Sequence, residues 1–263
     1  MSIASIGDLK VAYTEAGAGA PVVLIHGLAE DRHTWSNQQA QLSEFHTYAY
    51  DLRGHGDTTL GAADATLAQL GDDLVGFLEQ VTGPASVVGF SLGGTVALWA
   101  AAHRPDLVTR AVVLGTSSVV GRSAVGFYDR RIQMAADTGS QAFAEALRDD
   151  TAAGLAVATA QLDSIVPLRL AAVGAGAGYR NAAAAMASLN QDPLTPALAT
   201  VGRHVDVVGA TQDTFCPFKA AQIILDALPD GHYHEISDAG HLMNIDNPHG
   251  VTRVLRATLN ERN

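Results

Sequence analysis

The hydrophobic positions of this chain follow two rhythms that alternate along it. Residues 3–14 switch between apolar and polar around Gly7-Asp8, which predicts a hairpin of two edge strands. Val22-Val23-Leu24-Ile25 is instead a continuous run rich in β-branched residues, the pattern of a strand covered on both faces in a parallel sheet. A short helix is predicted over 38–45 and a second strand over 47–50. From Asp64 to Val81 the apolar residues Leu67, Leu70, Leu74, Phe77, Leu78 and Val81 recur at helical spacing, with Asp64 or Thr66 as N-cap and Gly83-Pro84 as terminator. Strand 85–90 runs through Gly89-Phe90-Ser91-Leu92-Gly93-Gly94 into a small-residue helix over 95–102, and 110–114 is another strand. Strand, helix, strand, helix, strand implies parallel pairing through right-handed crossovers.

After Gly115-Thr116-Ser117-Ser118 the rhythm breaks. Residues 122–195 are alanine-rich and helix-prone, with Gly174-Ala175-Gly176-Ala177-Gly178 inside and no convincing strand. The alternation resumes with strand 204–208, helix 217–228, strand 233–236 and a closing helix 248–262. The expected fold is therefore α/β, a mostly parallel doubly wound sheet. Its core is expected to comprise 1–118 and 200–263, and a helical cap over 119–199 to cover the active-site face.

Composition narrows the class. Hydrophobic residues make up 48% of the chain and charged ones 16%, enough to bury a sizeable core and too little charge for disorder. A net charge of -11 argues against nucleic acid or an anionic membrane as partner. The lone Cys216 excludes an internal disulfide and leaves nothing for a thiolate metal site. The N-terminus lacks a basic segment followed by an apolar one, and no uncharged apolar run approaches membrane-spanning length, so a cytoplasmic location is the default expectation. His232 and His234 share a strand face without ligand-like partner spacing; neither metal nor cofactor is expected, and the expected partner is a small-molecule substrate.

Gly89-Phe90-Ser91-Leu92-Gly93 sits where a strand turns into a helix, the setting of a nucleophile elbow. A serine on so sharp a turn crowds the residues two before and two after it, which must lack side chains. In a chain with 26 glycines the pattern alone also fits a glycine-rich turn, so its partners decide. A serine nucleophile needs a hydrogen-bonded base, itself oriented by an acid. In open parallel sheets such groups collect beyond the carboxyl ends of strands, and in serine hydrolases of this build they follow in the order Ser, acid, His. The loop after strand 204–208 offers Asp213 and the loop after 233–236 offers His241. Asp206 lies within a strand, Asp226 on a helix, and Asp238 and Asp246 flank His241, so none competes strongly.

Taken together, Leu24-Ile25-His26-Gly27-Leu28, Asp51-Leu52-Arg53-Gly54-His55-Gly56, the elbow, the Asp213 loop ending in Pro217, and Ala239-Gly240-His241 with Pro248 behind it resemble the α/β-hydrolase fold superfamily. The spacing looks most like its enol-lactonases, small esterases and carbon-carbon bond hydrolases. The resemblance implies Ser91 as nucleophile, His241 as general base and acid, Asp213 as the group orienting His241, and an oxyanion hole from the backbone N–H groups of Leu28 and Leu92. One departure is that relatives usually begin the acid loop Gly-x-x-Asp, whereas here it reads Ala210-Thr211-Gln212-Asp213, with Gly209 one position earlier. The implied activity is hydrolysis of a small ester or lactone. Carbon-carbon bond hydrolysis, thioester hydrolysis and perhydrolysis on the same triad stay open, as does a non-catalytic ligand receptor on this fold.

The remaining candidates read as packing. His26 and His55 are expected to stabilise turns, and Asp51 and Arg53 to pair locally. Trp35 and Trp99 are expected in the core, with Trp99 under the sheet, and Cys216 is expected as inert filling. Phe127, Tyr128, Met134, Phe143, Met186 and Leu189 either line a pocket or pack the cap. Arg122, Arg130, Arg131, Arg148, Arg169 and Arg180 could clamp a carboxylate if one points inward.

Overall fold

The computed structural model describes residues 1–261, so Arg262, the last position of the predicted closing helix, lies with Asn263 outside the described residues. Eight strands form one sheet: β1 (Ser2–Ile6), β2 (Leu9–Ala16), β3 (Pro21–Ile25), β4 (His46–Tyr50), β5 (Ala85–Phe90), β6 (Val108–Leu114), β7 (Val205–Ala210) and β8 (Gly231–Ile236). Their order is β1-β2-β4-β3-β5-β6-β7-β8. The edge hairpin β1/β2 and the β2/β4 pair are antiparallel, and every pairing from β4 to β8 is parallel. The fold is thus the mostly parallel α/β arrangement expected.

Why the central strands read as continuous apolar runs is visible in where alternate residues go. Val23 and Ile25 of β3, Val87 of β5 and Ala111 and Val113 of β6 enter one core layer. Val22 and Leu24, Val88, and Val112 and Leu114 enter the layer on the opposite face. Period-2 geometry sends neighbours to opposite faces, and both faces are covered. Helices α2 (Leu67–Phe77) and α3 (Leu92–His103) and, later in the chain, α8 (Phe218–Ala227) pack on the first face. Residues of α10 (Pro248–Asn260) and of the segment around α1 (Ser36–Gln41) fill the second.

Local departures from the predicted elements have identifiable causes. Helix α1 stops at Gln41 rather than continuing to Phe45, because Leu42 and Phe45 both turn into the second core layer. Thr66, not Asp64, caps α2, its side chain accepting from Gln69 N–H at 3.1 Å. Trp99 lies between α3 and α2 instead of under the sheet; a Cβ on Gly71 would fall 1.9 Å from its ring, which also stacks on His103 at 4.1 Å.

Between β6 and β7 the chain forms α4 (Arg122–Met134), α5 (Gln141–Gly154), α6 (Leu162–Val173) and α7 (Ala177–Ser188) and no strand among the described residues. Phe143, Leu147, Val173, Tyr179 and Ala183 of these helices form an apolar cluster that also takes in Ala29 from the loop after β3. At the start of α7, Gly178 and Gly54 meet backbone to backbone, so that a Cβ on Gly178 would lie 2.2 Å from the Gly54 carbonyl oxygen. No described helix is long and apolar enough to cross a membrane.

Candidate active site

β5 ends at Phe90, and Ser91 takes φ 52° and ψ -117°, a region that costs a residue with a side chain on the order of 1–3 kcal/mol. The surroundings hold it there. Its N–H donates to Leu114 O at 2.8 Å and its carbonyl accepts from Gly94 N at 3.0 Å and Thr95 N at 3.2 Å. The flanking glycines are sterically required: a Cβ on Gly89 would sit 2.2 Å from Gly93 O, and one on Gly93 2.4 Å from Ile25 O. Gly94 makes room for Thr116, whose Oγ1 would be 1.8 Å from a Cβ there.

The three predicted side chains converge across about 150 residues of sequence. Ser91 Oγ lies 3.0 Å from His241 Nε2, and His241 Nδ1 lies 2.9 Å from Asp213 Oδ2. The two downstream loops are tied to each other as well as to the sheet, through Thr211 N to Ile236 O at 3.0 Å and Gln212 N to Ala239 O at 2.9 Å. So the acid loop is held in register despite its shifted glycine. The Asp213 side chain is fully buried, and its second oxygen accepts from Phe215 N at 2.9 Å and Cys216 N at 2.8 Å. Burial works to raise the Asp213 carboxyl, but the facing His241 and the two backbone N–H groups outweigh it and hold it below the usual carboxylate range. The His241 ring sits between Phe90 and Phe215, with centroids 5.0 and 5.2 Å away.

Leu92 opens α3, so its N–H has no acceptor within the helix and stands at the positive end of the helix dipole. Leu28 follows the His26-Gly27 turn and lines the same cavity as Ser91. That turn is built from buried polar groups. Leu52 N–H donates to His26 Nε2 at 2.9 Å, which leaves Nδ1 to donate to Gly27 O at 2.8 Å and fixes a neutral ring. Glu30, for which the sequence carries no signal, accepts from Gly27 N at 3.1 Å and meets Arg169 of α6 at 3.2 Å; Arg169 also reaches Leu28 O at 3.4 Å. Nothing in the local spacing of Glu30 pointed to a partner 139 residues away.

Asp51 and Arg53 do not pair with each other. Asp51 is fully buried and takes the Arg32 guanidinium and the N–H groups of Arg32 and Asp57, while Arg53 forms a two-bonded pair with Asp73 at 2.6 and 2.8 Å. Neighbours two apart in this loop point in opposite directions, which proximity in sequence conceals.

A cavity of about 390 Å³ opens over Ser91 and His241. Phe127 and Tyr128 line it, whereas Phe143 and Met134 pack within the helices between β6 and β7, and Met186 and Leu189 join the first core layer. Among the six candidate arginines, Arg169 lines this cavity, its charge met by Glu30; Arg131 is held behind it by Asp150 at 2.7 Å. Cys216 also lines it, and burial pushes its thiol well above the ordinary range, so it stays protonated.

The buried imidazoles give a stability prediction. Burial lowers His26 to about 4 and His55, which also faces His26, to about 3. Both stay neutral in the native state while the unfolded chain takes up protons below the ordinary imidazole value of 6.5. The unfolded state then binds more protons, and stability falls as pH drops from 6.5 toward 4, by about 1.4 kcal/mol per unit for each ring. Urea unfolding at pH 7 and pH 5 should show a loss of about 4 kcal/mol from the pair. His55→Asn, which keeps a donor for the Arg53 carbonyl bonded by Nδ1 at 3.1 Å, should remove about half of it; an unchanged slope would refute the assignment.

Residues 20–248 match the sequence model of a family described as alpha/beta hydrolase fold. A Mycobacterium tuberculosis H37Rv protein provisionally named non-heme bromoperoxidase BpoC is 27% identical over 266 residues, covering 94% of this chain and 96% of its own. The 3-oxoadipate enol-lactonase 2 of Acinetobacter baylyi is 24% identical over 262 residues, covering 97% and 95%. Of solved structures, a thermophilic esterase from Thermogutta terrifontis superposes with a TM-score of 0.83 at 26% identity, covering 97% of this chain and 95% of that one.

Proposed function

This chain belongs to the alpha/beta hydrolase fold family, and from that premise we propose that it is a serine hydrolase cleaving a small ester or lactone through an acyl-enzyme. The observation that carries the reading is the hydrogen-bonded line from Ser91 Oγ through His241 to Asp213, at 3.0 and 2.9 Å. In this reading Ser91 Oγ attacks the carbonyl carbon as His241 Nε2 takes its proton, and the N–H groups of Leu28 and Leu92 hold the oxyanion. His241 returns the proton to the departing oxygen, then removes one from the water that attacks the acyl carbon and passes it to Ser91 Oγ as the acid leaves. No step requires a metal or cofactor. Residues 119–199 serve as a helical cap and 1–118 with 200–263 as the core. The cavity volume, at the lower end of the range for ligand pockets, and its apolar lining by Phe127, Tyr128, Phe215 and Leu242 favour a compact substrate. The relatives named as an enol-lactonase and an esterase support the same side of the family.

A fluorophosphonate probe tests the reading. Labelling at Ser91 at neutral pH is the expected result, and absence of labelling would favour a ligand receptor. A panel of an enol-lactone, a vinylogous diketone, an acyl thioester and simple esters then ranks the reaction classes, with the lactone or an ester expected to turn over fastest.

A further inference from the structure

In the sequence Asp246 only flanks His241 and competes weakly with Asp213 for the role of acid; the structure gives it four backbone partners. Its Oδ2 accepts from Gly240 N and Ala156 N, both at 2.8 Å, and its Oδ1 from Val157 N at 3.0 Å and Ala158 N at 2.7 Å. Asp246 closes a short helix, α9 (Met243–Asp246), that begins two residues after His241. Three of its donors are consecutive residues leading out of α5, and the fourth immediately precedes His241. On the other side of the histidine, Leu242 N–H donates to Gly154 O, the last residue of α5, at 2.8 Å. Gly240 fits here because it lacks a side chain, since a Cβ would lie 2.6 Å from Gly154 O. Both peptide N–H groups that flank His241 are therefore fixed by, or jointly with, the segment 154–158.

We propose that Asp246 is a positioning residue for His241, making the placement of the base conditional on the seating of the 154–158 segment. A carboxylate accepting four N–H bonds is a charge-assisted anchor between two loops that have no covalent reason to move together. Its loss frees the chain on one side of the histidine, and a shift of about 1 Å in a reacting group costs up to about 100-fold in rate. The proposal rests on His241 being the base.

The test uses the full-length chain and a chromogenic acetate too small to depend on the pocket walls. Asp246→Ala should lower kcat about 10- to 100-fold with KM within twofold, and slow fluorophosphonate labelling of Ser91 in proportion. Asp246→Asn keeps the shape but one fewer acceptor oxygen, and should fall between it and the wild type. A purely structural role would lower Tm and leave kcat and the labelling rate of the folded fraction unchanged; that result in either variant overturns the proposal. If Asp246→Ala does not fold, Asp246→Asn decides alone. His241→Ala separates the two claims: if it retains activity the base assignment fails, and the proposal with it, whereas an inactive His241→Ala beside fully active Asp246 variants refutes the positioning role only.

Discussion

Ser91→Ala should reduce kcat for a short-chain chromogenic ester by at least about 10⁴-fold while leaving KM nearly unchanged. The asymmetry follows from what the hydroxyl touches. Its partner is His241 Nε2 at 3.0 Å, a contact that matters when the oxygen attacks, whereas ground-state binding draws on the apolar cavity walls. Alanine can keep the elbow, because the strained φ of 52° is enforced by the Leu114, Gly94 and Thr95 hydrogen bonds and by the flanking glycines, none of which involves Oγ. Thermal unfolding of the variant should therefore match the wild type, which separates lost chemistry from lost fold. If the Leu28 and Leu92 N–H groups form the proposed oxyanion hole, some rate above that in water should persist, since they and the cavity remain. A variant retaining more than a few per cent of kcat would refute the acyl-enzyme on Ser91.

How much of this could be read from the chain differs by kind of interaction. Strands β3, β5 and β6 were legible because burial on both faces leaves a continuous apolar signature in consecutive residues, and the elbow because a serine at positive φ demands glycines at fixed offsets. Asp213 and His241 were legible through topology, since strand ends in a parallel sheet open on one edge. The partners of Asp51, Arg53, Glu30 and Asp246 were not. Each pairs with a group whose position depends on how distant segments pack: Asp51 with Arg32, Arg53 with Asp73, Glu30 with Arg169, and Asp246 with residues 156–158. Hydrogen-bonding residues carry no periodicity that reports where their partner lies. The cavity wall was equally silent, because Phe127 and Phe143 are both aromatic residues on helices between β6 and β7 and only packing sends one to the cavity and the other to the interior.

Asp213→Asn should lower kcat by about 10⁴-fold through the tautomer of His241, although the substitution is nearly isosteric. The direction is set by the donors around the carboxylate. Oδ1 receives two N–H bonds, from Phe215 at 2.9 Å and Cys216 at 2.8 Å, so an asparagine must place its carbonyl oxygen there to avoid facing two donors with a third. Its NH₂ then occupies the Oδ2 position, 2.9 Å from His241 Nδ1, and donates to that nitrogen. A neutral imidazole accepting at Nδ1 carries its proton on Nε2, and that proton points at Ser91 Oγ 3.0 Å away. In the proposed mechanism His241 then presents a donor where a base needs a lone pair. The buried negative charge that would stabilise the imidazolium formed during attack is removed by the same change. KM should move little, because the side chain is fully buried beneath His241 and does not line the cavity. Steady-state kinetics with the short-chain ester and the rate of fluorophosphonate labelling should fall together. A loss of tenfold or less would mean that His241 keeps its Nδ1 proton without Asp213, and that another group orients the ring.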